Sequence, residues 1–302
     1  MYQFSSQQKN FHQEGAGRRQ EMIETIVEIV EDSLDPNRVS SAYCDAIVSG
    51  TTGIGKTYNA EKILNEKGIF PLIIKGNQSL SNLATSLMVF HYKFQERKKP
   101  GQKLVILFDD CDSLFENKQT INILKGMTGA PGSRMLQHNV QVPRANLNPL
   151  QLSILEQYQP ADGSVGIHVS TEDMVFIFTT NFMLPTEKQA RDYLALKGPT
   201  PQANRKIDLS AIRRRFTTRD FILTKETNWG WLVEVGLNDG GLDMLPDQTS
   251  KMILLDWMWN NWDHMTESNI STMEKMALTM VKYPDNYRDR WERSYIDQLY
   301  AY

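Results

Sequence analysis

Residues 50–57 read GTTGIGKT. This octapeptide fits the pattern GxxxxGK[ST] without a mismatch. An apolar strand is expected to end at Ser49 and a helix to begin near Lys56, the context the pattern needs. Gly50, Gly53 and Gly55 let the backbone curl so that several N–H groups face a polyphosphate. The helix N-terminus adds the positive end of its dipole. Lys56 is expected to reach the β- and γ-phosphates, and the Thr57 hydroxyl to ligate Mg²⁺. Thr51, Thr52, Ile54 and the following Tyr58 complete the expected ATP-binding segment.

Three further stretches fit the same sheet. LVILFDDCD, residues 104–112, is a continuous apolar run closed by acids, which suits a buried parallel strand. At the C-terminal edge of such a sheet the acids face the ligand crevice. Asp109 is then expected to hold Mg²⁺, through water, and Asp110 to polarise the attacking water. VFIFTTN, residues 175–181, is a second buried strand ending in Thr179, Thr180 and Asn181, neutral groups suited to orienting a water or touching the γ-phosphate. AIRRRF, residues 211–216, carries three successive arginines that cannot share one face, so at least one is expected to reach outward.

Between these stretches strands alternate with helices. Ala42–Ser49 and Ile69–Ile74 read as strands, Leu80–Gln95 and a short segment around Thr120–Leu124 as helices. The alternation predicts an α/β fold with a parallel sheet. Residues 1–18 are Gln-rich and polar and are expected to be a flexible arm. From Arg19 a helical period sets in, ended by Asp35-Pro36. The nucleotide-binding unit is assigned to 19–244, interrupted over 126–170 by an insertion or long loop without strong periodicity. Residues 245–302 carry apolar residues at helical spacing and are assigned to a helical lid and tail.

Composition excludes several classes. The 33 Lys+Arg against 36 Asp+Glu leave a net charge of −3, which argues against a constitutive nucleic-acid coat protein. No apolar run is long enough for a transmembrane helix, and the first 20 residues lack the apolar core of a secretory signal, so no membrane association is expected. The two cysteines, Cys44 and Cys111, read as reduced core thiols. The five histidines form no HxxxH pair, so no structural zinc site is expected. The tryptophans at 229, 231, 257, 259 and 262 lie among apolar residues, which points to packing rather than base stacking.

In order and spacing, GTTGIGKT, VILFDDCDSLF, VFIFTTN and AIRRRF resemble the AAA+ ATPase family, and in their compactness most resemble AAA+ proteins encoded by bacteriophages. The resemblance implies a five-stranded parallel sheet with helices on both faces, a helical lid, assembly into a ring or spiral, and a cytoplasmic location, in the host if phage-encoded. It gives residues 50–57 the Walker A role, Asp109 the Mg²⁺ role and Asn181 the sensor-1 role. Arg215 matches the arginine finger that acts on a neighbouring subunit's nucleotide, with Arg213 as second candidate. Asp110 stands where the family usually has Glu, and the sensor-2 position offers only Ser271, with Lys275 one turn later. The loop 75–80 lacks the aromatic–apolar pair of peptide-threading unfoldases.

Three uses of an ATP cycle remain open. The polar loop with Lys75, Asn77 and Gln78, together with Arg97-Lys98-Lys99 and Arg213–Arg215, points to a DNA-associated loader of the replication type. The 126–170 insertion and the Trp-rich C-terminal part suit remodelling of a protein partner. The short Asp110 side chain suits a slowly hydrolysing switch or scaffold.

Overall fold

In the computed structural model the described residues are 3–35, 45–77, 79–116, 118–130, 132–139, 147–159 and 166–297. They fall into two compact units. One consists of Thr25–Gly50 and Thr57–Asp220; the other of the described residues of Met1–Glu24, Thr51–Lys56 and Phe221–Tyr302.

A long helix, α1 (Ser6–Leu34), opens the chain and contributes to both units. It is followed by β1 (Ala46–Gly50), α2 (Lys56–Glu66), β2 (Leu72–Lys75), α3 (Leu80–Gln95) and β3 (Leu104–Asp109). A 3-10 turn at Asp112–Phe115 leads into α4 (Lys118–Met127), β4 (Met135–His138), α5 (Pro149–Leu155), β5 (Ile167–Ser170) and β6 (Met174–Thr180). Next come α6 (Glu187–Lys197), α7 (Pro201–Arg213) and β7 (Thr217–Phe221). The remaining helices are α8 (Lys225–Leu237), α9 (Gln248–Asn261), α10 (Ile270–Lys282) and α11 (Tyr287–Tyr295).

The parallel sheet has five strands in the order β2-β3-β6-β1-β7, with helices around it, so the fold class is the expected α/β core plus a helical C-terminal region. The two runs read as buried strands, β3 and β6, pair in register from Leu104↔Met174 to Asp109↔Thr179. Every residue of β1 and of β6 is buried, as a strand covered on both faces requires. Phe108 stacks on Phe178 at 4.3 Å in the core between the sheet and its helices. This places the last residues of β1, β3 and β6 side by side at one edge of the sheet.

At the opposite edge lies a buried ion pair. Asp45, just before β1, accepts from Arg134 Nη2 at 2.8 and 3.0 Å and from Phe176 N at 2.9 Å. Its own carbonyl accepts from Thr217 N at 2.9 Å, so one residue ties the roots of β1, β6 and β7. Arg134 Nε also donates to Met127 O at 3.1 Å. Burial outweighs the attraction of Arg134 and raises the Asp45 carboxyl to about 6.

Residues 126–170, expected to be an insertion or loop, hold an antiparallel pair, β4 with β5, and the short α5. Residues 140–146 and 160–165 of this region, and the start of the expected strand at 42–44 with Cys44, lie outside the described residues. Cys111 is buried, donates to Ile74 O at 3.3 Å and has its thiol pushed up to about 12, chiefly by burial. Two helices, α6 and α7, occupy the polar stretch around 185–208 because Thr186 with Gln189 and Thr200 with Pro201 supply their N-terminal caps.

The expected flexible arm over 1–18 is corrected by the structure, since α1 starts at Ser6. Ser5 and Gln8 cap its start reciprocally, through Ser5 N to Gln8 Oε1 at 2.9 Å and Gln8 N to Ser5 Oγ at 3.2 Å. Phe4 then meets Trp229 at 5.2 Å and Phe11 meets Trp259 at 5.3 Å. These partners lie more than two hundred residues along the chain, beyond any local pattern. Gly15 faces Gly230 so closely that a Cβ on Gly230 would sit 1.8 Å from Phe11 O. The C-terminal unit also begins at Phe221, ahead of the 244/245 boundary, because α8 packs with α9 and α10 in one core around Trp229, Leu255, Met273 and Trp291. The tryptophans are packing residues: Trp229, Trp231 and Trp291 are fully buried, and Trp257 and Trp259 lie against that core.

Candidate active site

The octapeptide joins β1 to α2 as a strand–loop–helix, with Gly50, Gly53 and Gly55 all at positive φ. Gly53 (φ 72°) has a second constraint, since a Cβ there would lie 2.4 Å from the Asn269 Cβ. Lys56 is buried, and its Nζ donates to Thr51 O at 2.8 Å. Thr51 N donates to Phe221 O at 2.9 Å, and Leu223 N donates to Thr51 Oγ1 at 3.0 Å. Ile54 is buried, whereas Thr52 is exposed and Tyr58 is 68% exposed. Tyr58 therefore stands on an open face of α2.

Within the sheet unit the expected metal and catalytic groups converge. Thr57 Oγ1 donates to Asp109 Oδ1 at 2.5 Å and lies 2.8 Å from Thr179 Oγ1. These are hard oxygen donors at the end of β3 and the start of α2, the chemistry that suits Mg²⁺. Lys75 Nζ lies 3.4 Å from Asp109 Oδ2, a cation already drawn to that carboxylate. Asn181 Nδ2 donates to Asp110 Oδ1 at 3.2 Å, so the neutral group after β6 holds the acid after β3. Thr180 Oγ1 bonds Asp112 Oδ1.

Asp110 has φ 51°, the one non-glycine residue at positive φ among the described residues. Its N–H donates to Thr179 O at 3.1 Å. The left-handed turn ends the extended run of β3 at a residue type that tolerates it better than most. Such strain persists where surrounding structure over-determines it, which is characteristic of functional sites. The sequence marks the acid but not this backbone state, nor the place of Thr179 beside Thr57, which follows only from the β3–β6 register.

The three arginines differ in their surroundings. Arg213 donates to Leu184 O and Asp220 Oδ2, both at 2.8 Å. Arg215 Nη1 donates to Lys125 O at 2.6 Å and is half-buried. Arg214 is the exposed one, 62% open and paired with Glu187 at 3.2 Å. The basic segments are not brought together. Lys75 lies beside Asp109, whereas Arg97-Lys98-Lys99 precede β3, at the other end of the strand, where Lys98 bonds Asp173 at 3.0 Å. Asn77 is described and Gln78 lies outside the described residues. At the expected sensor-2 position Ser271 and Lys275 are both exposed on α10. Asn269, the N-cap of α10, is the residue against Gly53, and nothing in the sequence signals it.

A phosphate-binding loop after the parallel strand β1, with acids at the end of β3 one strand beyond the intervening β6, defines the class as an α/β P-loop fold. Residues 46–192 match the model of AAA, the ATPase family associated with various cellular activities, and the match supports an AAA+ ATPase family for this chain. No curated protein sequence matches it. Among solved structures it is similar to a chain of the crystal structure of Rif2 in complex with the C-terminal domain of Rap1. That similarity has 10% identity and a TM-score of 0.32, and covers 93% of this chain and 88% of the other. At that score it supports no argument. No described helix is long and apolar enough to cross a membrane.

Proposed function

We propose that the protein binds Mg·ATP at residues 50–58 and hydrolyses it by in-line attack of water, in an oligomer whose cycle serves a DNA-associated, loader-type process. The observation that carries the catalytic part is a pair of hydrogen bonds at successive acids, Thr57 to Asp109 and Asn181 to Asp110. Thr57 and Asp109 would hold Mg²⁺, which when bound supplies charge neutralisation across the phosphate oxygens. The loop N–H groups and Lys56 bind and orient the phosphates. Asp110, held by Asn181, orients the water and accepts its proton. Arg215 is assigned to the neighbouring subunit's nucleotide by its motif, and Arg214 is the comparator because it is the exposed member of the run. An arginine acting between subunits makes turnover depend on assembly, by ~10³–10⁵ in rate.

Lys56→Ala should lose nucleotide binding or turnover. Arg215→Ala should bind ATP normally and fail to hydrolyse it at concentrations that allow assembly. Normal turnover in Arg215→Ala with loss in Arg214→Ala moves the finger by one residue. Normal turnover in these two and in Arg213→Ala, the second candidate, refutes the intersubunit reading.

The DNA role rests on the polar loop with Lys75 and on the basic runs Arg97-Lys98-Lys99 and Arg213–Arg215, and the phage-type origin on the motifs' compactness. Salt-dependent DNA binding with ATPase stimulation supports the loader reading, and its absence favours protein remodelling. Equal, negligible turnover of the wild type, Asp110→Glu and Asp110→Asn would favour a switch.

A further inference from the structure

Around the turn from α10 to α11 four cations are exposed: Lys282, Arg288, Arg290 and Arg293. None of them pairs with a carboxylate among the described residues, although Asp285, Asp289 and Glu292 share the segment. Elsewhere exposed arginines find acids, as Arg191 and Arg214 both pair with Glu187. Here the cations lie over rings instead. Arg290 Cζ is 3.5 Å from the centroid of the Tyr283 ring, and Lys282 Nζ is 5.4 Å from the same centroid. Arg288 Cζ is 6.0 Å from the Tyr287 centroid. Arg290 Nε donates to Asn286 Oδ1 at 3.3 Å and Asn286 N to Tyr283 O at 3.2 Å, so the turn itself holds the guanidinium over the ring. Two like charges at one ring repel each other, and an anion between them relieves the repulsion.

Tyr287 also walls a recess of about 330 Å³, together with Met244, Pro246, Met280 and Pro284. The recess is open and largely apolar, with Met244 41% and Val281 52% exposed. Tyr287 packs on Trp291 at 4.7 Å between centroids, which fixes its ring as a wall. The acids of the adjoining segment are committed, Asp243 to Lys251 Nζ and Asp247 to Ser250 N. All these residues belong to the C-terminal unit. An aromatic-walled apolar recess beside cations without carboxylate partners offers a flat π surface and phosphate-binding charge in one place. Single-stranded nucleic acid answers both, its phosphates taking the cations and an unstacked base taking the recess. A duplex keeps its bases stacked and cannot fill it.

We infer that the α10–α11 turn binds single-stranded nucleic acid, with Lys282, Arg288, Arg290 and Arg293 on phosphates and one base against Tyr287. The inference rests on the DNA reading above and deepens it by naming a surface. Four cations against three acids leave residues 282–293 at only +1, so charge alone does not carry the contact and the base must contribute. An acidic peptide would satisfy the cations and leave the ring wall without a counterpart.

The test is fluorescence anisotropy of labelled oligo-dT, oligo-rU and an abasic strand of equal length, titrated with the full chain. Wild-type affinity for oligo-dT or oligo-rU should fall about 20- to 50-fold between about 50 and 200 mM salt, the loss expected for three to four phosphates. The stronger of the two identifies the strand as DNA or RNA. The abasic strand should bind about 10-fold more weakly with the same salt slope. Arg288→Ala combined with Arg290→Ala should reduce the log–log salt slope by about 1.4, the share of two phosphates. Arg191→Ala, an exposed arginine outside the set, should change nothing. The wild-type strands decide the base contact without any variant, should the double variant fail to fold. Equal affinity for the abasic strand overturns the inference. So does preferential competition by poly-glutamate, which would give the surface to an acidic protein. An unchanged slope in the folded double variant, or an equal loss in Arg191→Ala, overturns this surface and leaves the DNA reading standing. A wild type that binds no strand overturns both, which is a distinct result.

Discussion

Replacing Arg134 with Met removes the partner of a carboxylate that is 2% exposed. Arg134 itself is 1% exposed, so neither charge has water to fall back on. Of the bonds to the Asp45 carboxylate described above, only that from Phe176 N remains. Breaking one side of a buried pair costs about 3–5 kcal/mol. The cost has a pH signature. The Asp45 carboxyl already lies at about 6 in the folded protein, above its ordinary value, because burial outweighs Arg134. Its contribution to stability is therefore complete below about pH 4 and declines as pH rises through about 6. Without Arg134 the carboxyl rises further and the variant must keep it protonated. The destabilisation relative to wild type then grows by up to ~1.4 kcal/mol per pH unit above 6, or ~2.7 kcal/mol between pH 6 and pH 8. Urea unfolding followed by circular dichroism at the two pH values measures it. Asp45→Leu with Arg134→Met should recover most of the loss, since no buried charge is left. A penalty independent of pH, or below about 1 kcal/mol at pH 8, refutes the reasoning.

Three further outcomes are expected. Burial alone would raise the Asp173 carboxyl, but hydrogen bonds from His91, Lys98 and Gln95 outweigh it and hold the group well below its ordinary range. Its contribution is present above about pH 4 and is lost as pH falls, so Asp173→Asn should flatten the acid limb of a stability–pH curve. Gly230→Ala puts a Cβ 1.8 Å from Phe11 O and should lower stability by about 1–3 kcal/mol or more, measured as a fall in Tm. Asp110→Gly relieves the φ of 51°, worth about 1 kcal/mol, but adds glycine's entropic cost of about 0.5–1 kcal/mol, so stability should change little while ATP turnover falls by at least ~10²-fold, read by denaturation and phosphate release. If Asp110→Gly keeps wild-type turnover, the acid is not the group that orients the water.

The core strands were legible because β3 and β6 are apolar runs that end in polar residues, and the loop because its glycines and Lys56-Thr57 stand at fixed spacing. What was not legible depends on partners far along the chain. Residues 6–18 look like a loose arm until Phe4 and Phe11 find Trp229 and Trp259. The boundary at 221 was hidden because α8 joins the C-terminal core through Trp229 and Leu232, residues that read locally as part of the preceding unit. The AIRRRF run showed that the arginines must diverge, but not that Arg213 and Arg215 turn inward to Asp220 and Lys125. Asn269 gave no sequence signal, because a polar residue at a helix start is ordinary.

The strand order has a consequence for synthesis. β1, which carries the phosphate loop, is translated early, yet its ladder with β6 begins at Ala46↔Ile177, about 130 residues later in the chain. Its other flank is closed by β7, later still. On the ribosome β1 would wait as an apolar strand with both edges open, and open edges invite pairing with other chains. A nascent chain halted before residue 174 would carry the complete phosphate loop and the acids of β3 but no strand to set them side by side. The protein should thus acquire its nucleotide site late and in one step as β6 slots between β1 and β3, and fragments ending earlier should be prone to aggregate rather than weakly active.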